Sequence, residues 1–191
     1  MLEHAEALIR EYGMFPPGCK VLCAVSGGAD SVCLLHWLSQ QKDISLMAAH
    51  FNHQLRGEES DRDQQFVREL CEKWHILLTV GQGDVASHAK KQGLSIEEAA
   101  RNLRYAFLRE TAEKNGCDFI ATAHNADDNL ETLLLNLTRG AGLQGLTGIS
   151  PQQGVLVRPL LTTTRKEIEA YLRSYSLSHV EDGTNTDETY S

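Results

Sequence analysis

Short apolar runs alternate along this chain with longer stretches in which apolar residues recur every three or four positions. That alternation marks βα units around a parallel sheet: a strand covered on both faces reads as a continuous apolar run, and the helix covering it as a stripe. Leu2, Ala5, Leu8 and Ile9 share one helical face at the start. "KVLCAV" (20–25) then predicts a first buried strand and "SVCLLHWLSQQ" (31–41) the helix after it. A second strand is expected at "ISLMAAHF" (44–51), a helix at "EESDRDQQFVRELCEKW" (58–74) and a third strand at "HILLTVGQ" (75–82). Between Asp84 and Asn115 the pattern predicts two helices broken near Gly93, with Ile96, Ala99, Ala100, Leu103, Ala106, Phe107 and Ala112 as the buried stripe of the second. Strand "DFIATAH" (118–124), helix "ADDNLETLLLNLTR" (126–139), glycine-rich loop "GAGLQGLTGIS" (140–150), strand "VLVRPLL" (155–161) and helix "TRKEIEAYLRSYS" (164–176) follow. With no repeat, low-complexity tract or linker, residues 1–191 are expected to form one α/β domain.

Bulk properties narrow the class. The 191 residues suffice for one sizeable core, and 41% hydrophobic with 23% charged residues is ordinary for a globular protein. No apolar run nears the roughly 18 residues of a membrane span, so neither a transmembrane helix nor an anchor is expected. Glu3, Glu6 and Glu11 are wrong for a signal peptide, which makes the cytoplasm the expected location. The five cysteines, Cys19, Cys23, Cys33, Cys71 and Cys117, are odd in number and lack C-x-x-C spacing. They read as free buried thiols rather than metal ligands or disulfides. The net charge of −8 opposes nucleic-acid binding by the chain as a whole, since phosphate contacts need Lys and Arg. An RNA partner would need local patches or parts lying elsewhere. Arg101, Arg104 and Arg109, then Arg158, Arg165, Lys166 and Arg173, are candidate patches, and equally readable as solvated helix faces.

The chemistry-bearing stretch is Ser26-Gly27-Gly28-Ala29-Asp30-Ser31, between the first strand and its helix. In parallel sheets ligands sit at the carboxyl ends of strands, and a helix N-terminus offers unpaired N–H groups and partial positive charge to an anion such as phosphate. Two glycines let the backbone approach closely; Ser26 and Ser31 add hydroxyls. Asp30 has two readings: a helix N-cap, or a carboxylate that holds Mg²⁺ bridged to phosphate oxygens. The stretch is neither G-x-x-x-x-G-K-[ST] nor G-x-G-x-x-G.

S-G-G-x-D-S in this position resembles the pyrophosphatase loop of the N-type ATP pyrophosphatases, the PP-loop superfamily, which cleave ATP between its α and β phosphates to adenylate a carbonyl oxygen. The resemblance implies a Rossmann-like, parallel-sheet, three-layer sandwich of the adenine nucleotide alpha hydrolase type. "HFNHQLRGEES" (50–60), "EEAARNLRYAFL" (97–108), "ATAHNADDNLETLLLNLTRGAGLQGLTGI" (121–149), "RPLLTTTRKEIEAYL" (158–172) and "EDGTNTDETY" (181–190) are together similar to the tRNA(Ile)-lysidine synthetase family. That family adenylates C2 of the wobble cytidine in the isoleucine tRNA with anticodon CAU; L-lysine then displaces AMP. The resemblance implies ATP, Mg²⁺, L-lysine and that tRNA as ligands, and no membrane.

Position by position, Ser26, Gly27, Gly28, Ala29, Asp30 and Ser31 would form the ATP loop, with Asp30 on the metal. Arg101 would sit at the α-phosphate, where a fork-shaped permanent cation stabilises the developing charge; its other reading is an ion pair with Glu97 or Glu98. His124, Asp127 and Asp128 would complete the site, the two carboxylates either capping a helix or binding Mg²⁺ or the lysine ammonium. His50 and His53 would support or line the nucleotide pocket, and the loop from Arg139 to Ile149 would be a flap or a helix end. In the family the block ending at Tyr190 continues into further domains, so this chain is expected to be the catalytic domain alone, binding Mg-ATP and modifying tRNA poorly. The competing readings are a PP-loop tRNA thiolase, which would need C-x-x-C cysteines, and a non-catalytic nucleotide-binding module of the universal-stress type.

Overall fold

The computed structural model describes residues 2–55, 57–139 and 147–180. Most of the glycine-rich loop, the 181–190 block and Arg56 lie outside the described residues. The elements are α1 Glu3–Tyr12, β1 Lys20–Ala24, α2 Ala29–Ser39, β2 Ser45–Asn52, α3 Glu58–Lys73, β3 Leu77–Gln82, α4 Val85–Gln92, α5 Ile96–Asn115, β4 Phe119–Ala121, α6 Ala126–Thr138, β5 Gln152–Gln153, β6 Leu156–Val157 and α7 Arg165–Ser174. They form one six-stranded sheet in the order β3-β2-β1-β4-β6-β5, parallel except for the β5–β6 edge pair.

Alternation along the strands makes three layers. Val21 and Cys23 of β1, Ala48 of β2 and Ala121 of β4 face a core shared with α1, α2, α3 and α7. Leu22, Met47, Ala49 and Ile120 face the opposite way, onto Leu108 and Ala112 of α5, and α4 packs on α5 through Val85, Ala89 and Ala99. The N-terminal stripe is buried as expected at Leu2, Ala5 and Leu8, and Cys19, Cys23, Cys33 and Cys71 are buried free thiols, with Cys117 less so. Burial pushes the Cys33 thiol up to about 12 and Cys71 up to about 11, which keeps both protonated and inert.

Three boundaries differ from the sequence pattern. β3 starts at Leu77 because His75 takes the left-handed conformation (φ 55) and the Ile76 N–H closes onto the Cys71 carbonyl, a helix-ending turn. The strand expected over 155–161 is only Leu156–Val157: the Arg158 N–H turns back to the Pro151 carbonyl and Pro159 has no N–H for a ladder. The buried stripe of α5 keeps Ala99 and Ala112 but runs through Leu108 and Thr111, leaving Ile96 and Ala106 exposed. Phe107 lies over Gly81 of β3, where a β-carbon would sit 2.5 Å from its ring.

β1, β2 and β3 progress in one direction across the sheet, and the next strand in sequence, β4, falls on the other side of β1. The direction of strand progression reverses between the parallel β1 and β4, the kind of switch point at which such sheets leave a crevice beyond the strands' carboxyl ends.

Candidate active site

Two turns meet at that crevice, one leaving β1 and one leaving β4. In the first, Gly27 has φ +104, a geometry that side chains avoid, and Gly28 is the extended N-cap of α2. Ser31, one turn into the helix, holds the loop in shape: its Oγ accepts from the Ser26 and Gly27 N–H groups at 3.2 and 3.1 Å and donates to the Gly28 carbonyl at 2.9 Å. The Ser26 hydroxyl donates to Ser31 Oγ at 3.1 Å. A further brace comes from Val180, whose N–H donates to the Gly27 carbonyl at 2.9 Å. Behind the loop, buried His50 donates from Nδ1 to the Val25 carbonyl at 2.8 Å, and burial lowers its pKa. These contacts fix a curled backbone over a helix N-terminus, the arrangement that binds phosphate.

The second turn begins α6. Asn125, buried at the N-cap, accepts from the Asp127 and Asp128 N–H groups, and the Asp128 carboxylate accepts from the Asn125 N–H in return, a capping box. Asp127 accepts from the Arg165 N–H at 2.9 Å, tying α6 to the start of α7. The structure thus engages both carboxylates in capping. His124 lies beside them with Nδ1 3.0 Å from the Thr122 hydroxyl. Burial, then Arg158, Arg104 and Arg101, lower His124 to about 4 against an opposing Asp128, so its ring is neutral at physiological pH. His53 is likewise pushed down to about 4, by burial and then by Arg104 and His50.

Asp30 joins the two turns. It is not the N-cap of α2, which is Gly28; it stands in the first helical turn with its carboxylate free of capping. Arg165 grips both of its oxygens at 3.0 Å, and Asn125 lowers its pKa along with Arg165. Burial nonetheless raises its pKa above the ordinary carboxylate range, outweighing Arg165 and Asn125, with Asp128 raising it further. Arg165 and Asn125 are site residues that the sequence pattern did not single out. Asn125 carried a signal in its N-x-x-D capping spacing; Arg165 stood out only as part of a basic cluster, since its partner Asp30 is far away in the chain.

Arg101 stands on α5, apart from the loop, with its guanidinium stacked 5.0 Å from the centroid of Tyr105. Glu98, one of its expected partners, is instead the capping-box residue of Ser95, and among the described residues no ion pair holds Arg101. Its reach into the crevice is electrostatic, through His124. Among the described residues no three carboxylate, imidazole or thiol groups gather as a metal-binding set, and no helix is long and apolar enough to cross a membrane.

A phosphate-cradling loop at the switch point of a parallel sheet, with a carboxylate just inside the helix and a second acidic turn facing it, defines a nucleotide-binding α/β domain of the adenine nucleotide alpha hydrolase fold. The chain belongs to the PP-loop domain family, whose sequence profile matches residues 2–191. It is 46% identical over 182 residues to a tRNA(Ile)-lysidine synthase of Bacteroides thetaiotaomicron, covering 95% of this chain and 42% of that protein. Against a tRNA(Ile)-lysidine synthase of Clostridium perfringens it is 44% identical over 187 residues, covering 96% of this chain and 40% of the relative. The chain therefore spans about two-fifths of the length of the curated relatives it matches. A U34-tRNA thiolase, NcsA, from Methanococcus maripaludis shares the fold, with a TM-score of 0.75 over 94% of this chain and 66% of that one at 19% identity.

Proposed function

We propose that this chain is the ATP-using domain of a tRNA(Ile)-lysidine synthase, a cytoplasmic ligase that joins L-lysine to C2 of the wobble cytidine in the CAU-anticodon isoleucine tRNA. The observation that carries the reading is identity above 40% to lysidine synthases along 95% of the chain, with the loop and acidic turn both lying inside the matched span. The parts of the relatives beyond that span would supply the broader grip on tRNA.

In this reading the C2 carbonyl oxygen of the cytidine attacks the α-phosphorus of ATP and pyrophosphate leaves; the lysine ε-amine then attacks C2, loses a proton and expels AMP. The backbone N–H groups over Ser26–Ser31 and the two serine hydroxyls hold the departing pyrophosphate. Arg101 stabilises charge on the transferring phosphate. His124, neutral at physiological pH, hydrogen-bonds at the reacting centre without adding charge, and Asp127 and Asp128 orient the lysine ammonium. Asp30, with Asp128 near enough to affect its titration, suits Mg²⁺, which takes one or two carboxylates plus phosphate oxygens. When bound there, Mg²⁺ would neutralise phosphate charge. Arg165, which holds both Asp30 oxygens at 3.0 Å, would have to give up this carboxylate for Asp30 to hold the metal.

A thiolase would need a sulfur-carrying thiol, whereas four of the five cysteines are buried and none is paired in C-x-x-C spacing. AMP and pyrophosphate formation with CAU-anticodon tRNA(Ile) tests the proposal, using this chain and a version extended to the length of the relatives. Pyrophosphate release that requires the tRNA, with AMP release that requires lysine as well, is the expected result. Pyrophosphate release without the tRNA, or AMP release only with a sulfur donor, would overturn it.

A further inference from the structure

α5 and the β5–β6 hairpin enclose a cleft of about 300 Å³ whose lining includes Arg101, Tyr105, Arg109, Gln153, Leu156 and Arg158. Three guanidiniums share this small space, and among the described residues no carboxylate lies within ion-pair distance of any of them. Like charges so placed repel one another unless an anion sits between them. Two polar groups there also lack partners. Arg158 is only 4% exposed; its Nη1 donates to the Ser150 carbonyl at 2.5 Å, but its buried Nε has no acceptor. The buried Tyr105 hydroxyl has none either. Buried donors without acceptors are rare, and a buried unpaired guanidinium is costly. An anion rich in acceptor oxygens placed in the cleft would offset the three guanidinium charges.

We propose that this cleft is a phosphodiester subsite, which holds a backbone phosphate of the RNA strand whose base reacts at the adjoining crevice. Arginine forks match phosphate oxygens in pairs, and the cleft volume admits a phosphate with its sugar. The cleft adjoins the crevice, since Arg158 follows directly on Val157 of β6, which pairs with Ala121 of β4 and accepts from the Thr122 N–H at 3.0 Å, two residues before His124. The choice of RNA rests on the proposed function. A chain of net charge −8 binds a polyanion only through a local cationic site, and this cleft answers that need. Arg109 and Arg158 are binding residues here, separate from the loop that takes ATP.

The test is anisotropy of a labelled seven-nucleotide single-stranded RNA centred on CAU, beside the same sequence with uncharged methylphosphonate linkages. ATP affinity is followed by calorimetry and folding by thermal melting. Arg109→Ala, on an exposed helix face, is expected to weaken RNA binding about ten-fold and to flatten the dependence of log K on log salt by about 0.7, one phosphate contact on a single strand. ATP affinity should stay within two-fold of the unsubstituted chain. Arg158→Gln should weaken RNA binding further, and the uncharged RNA should bind poorly to every variant. Failure of the unsubstituted chain to bind the RNA would overturn the proposal, as would unchanged RNA binding by Arg109→Ala, equal binding of the uncharged strand, or loss of ATP affinity along with RNA affinity. Because RNA binding is read without turnover, intact binding with no lysidine formed counts against the catalytic reading and leaves the subsite standing.

Discussion

α2 and α6 leave the carboxyl ends of neighbouring strands and present their N-termini to the same crevice, yet they are held in opposite ways. Eight residues of α2 are buried, from Ala29 to Leu38, so its position is set by packing on every side. α6 has no buried residue, and Leu130, Leu134, Leu135 and Leu137 are each 46–55% exposed. What fixes α6 is a set of polar bonds: the Asn125 capping box, the Arg165 N–H to Asp127, the Ala126 N–H to the Thr163 carbonyl and the Ile149 N–H to Asn129 Oδ1. One side of the site is thus anchored by apolar burial and the other by a few polar bonds, which makes the acidic turn the easier half to move.

Stability should expose this contrast most strongly. Leu35→Ala, in the core of α2, is expected to cost about 2–5 kcal/mol, whereas Leu134→Ala on α6 should change stability by less than about 0.5 kcal/mol; denaturant titration measures both. Equal losses would show that α6 is packed after all. Next is Asp30→Asn, which keeps the shape of the side chain and loses the charge. AMP formation should fall by about 100-fold, roughly 2.7 kcal/mol of barrier, while the melting temperature hardly moves, because an ion pair open to solvent on its Arg165 side contributes little. Normal turnover would remove the metal from Asp30.

Arg101→Lys comes third. Lysine keeps the charge and loses the fork, so single-turnover adenylation should slow by about ten-fold with ATP affinity largely kept; an unchanged rate would return Arg101 to a surface role. Asn125→Ala removes the α6 cap and should cost about 1 kcal/mol. Its signature is local: amide exchange should quicken in the first turn of α6 and not in α2. The smallest effect near neutrality is the response to pH. Folding lowers His53 and His124 to about 4 and lowers His50 as well. The unfolded chain therefore binds more protons between about pH 6.5 and 4, so stability is fully present above 6.5 and declines as pH falls through that window. Melting temperatures should be flat from pH 8 to 7 and drop below 6, with a shallower drop in His124→Gln.

The helices, the parallel strands and the loop at Ser26–Ser31 were legible because each is written locally, in periodicity or in glycines beside hydroxyls. The ladder limits of β6 were not, since Pro159 ends it through a hydrogen bond it cannot make. Asp30 as a helix cap was a fair local reading, defeated by Gly28, which takes the cap position with no side chain. Arg165 was invisible as a site residue for a different reason: its partners Asp30 and Asp127 come from two other elements, and only the docking of α7 brings them together. Nor does composition tell α2 from α6, two leucine-rich helices of similar length. Their difference in burial lies in where the sheet places them.

The bond from the Val180 N–H to the Gly27 carbonyl joins the glycine turn after β1 to the chain that runs on from α7. This bond gives the molecule a built-in gauge. Opening of the loop frees one identifiable amide, so the exchange rate of Val180 with solvent deuterium reads loop order directly, without any label on the nucleotide site. Coupling through such a bond is reciprocal: a nucleotide that stiffens the turn slows exchange at Val180, and tension on the backbone at Val180 returns as a change in nucleotide affinity.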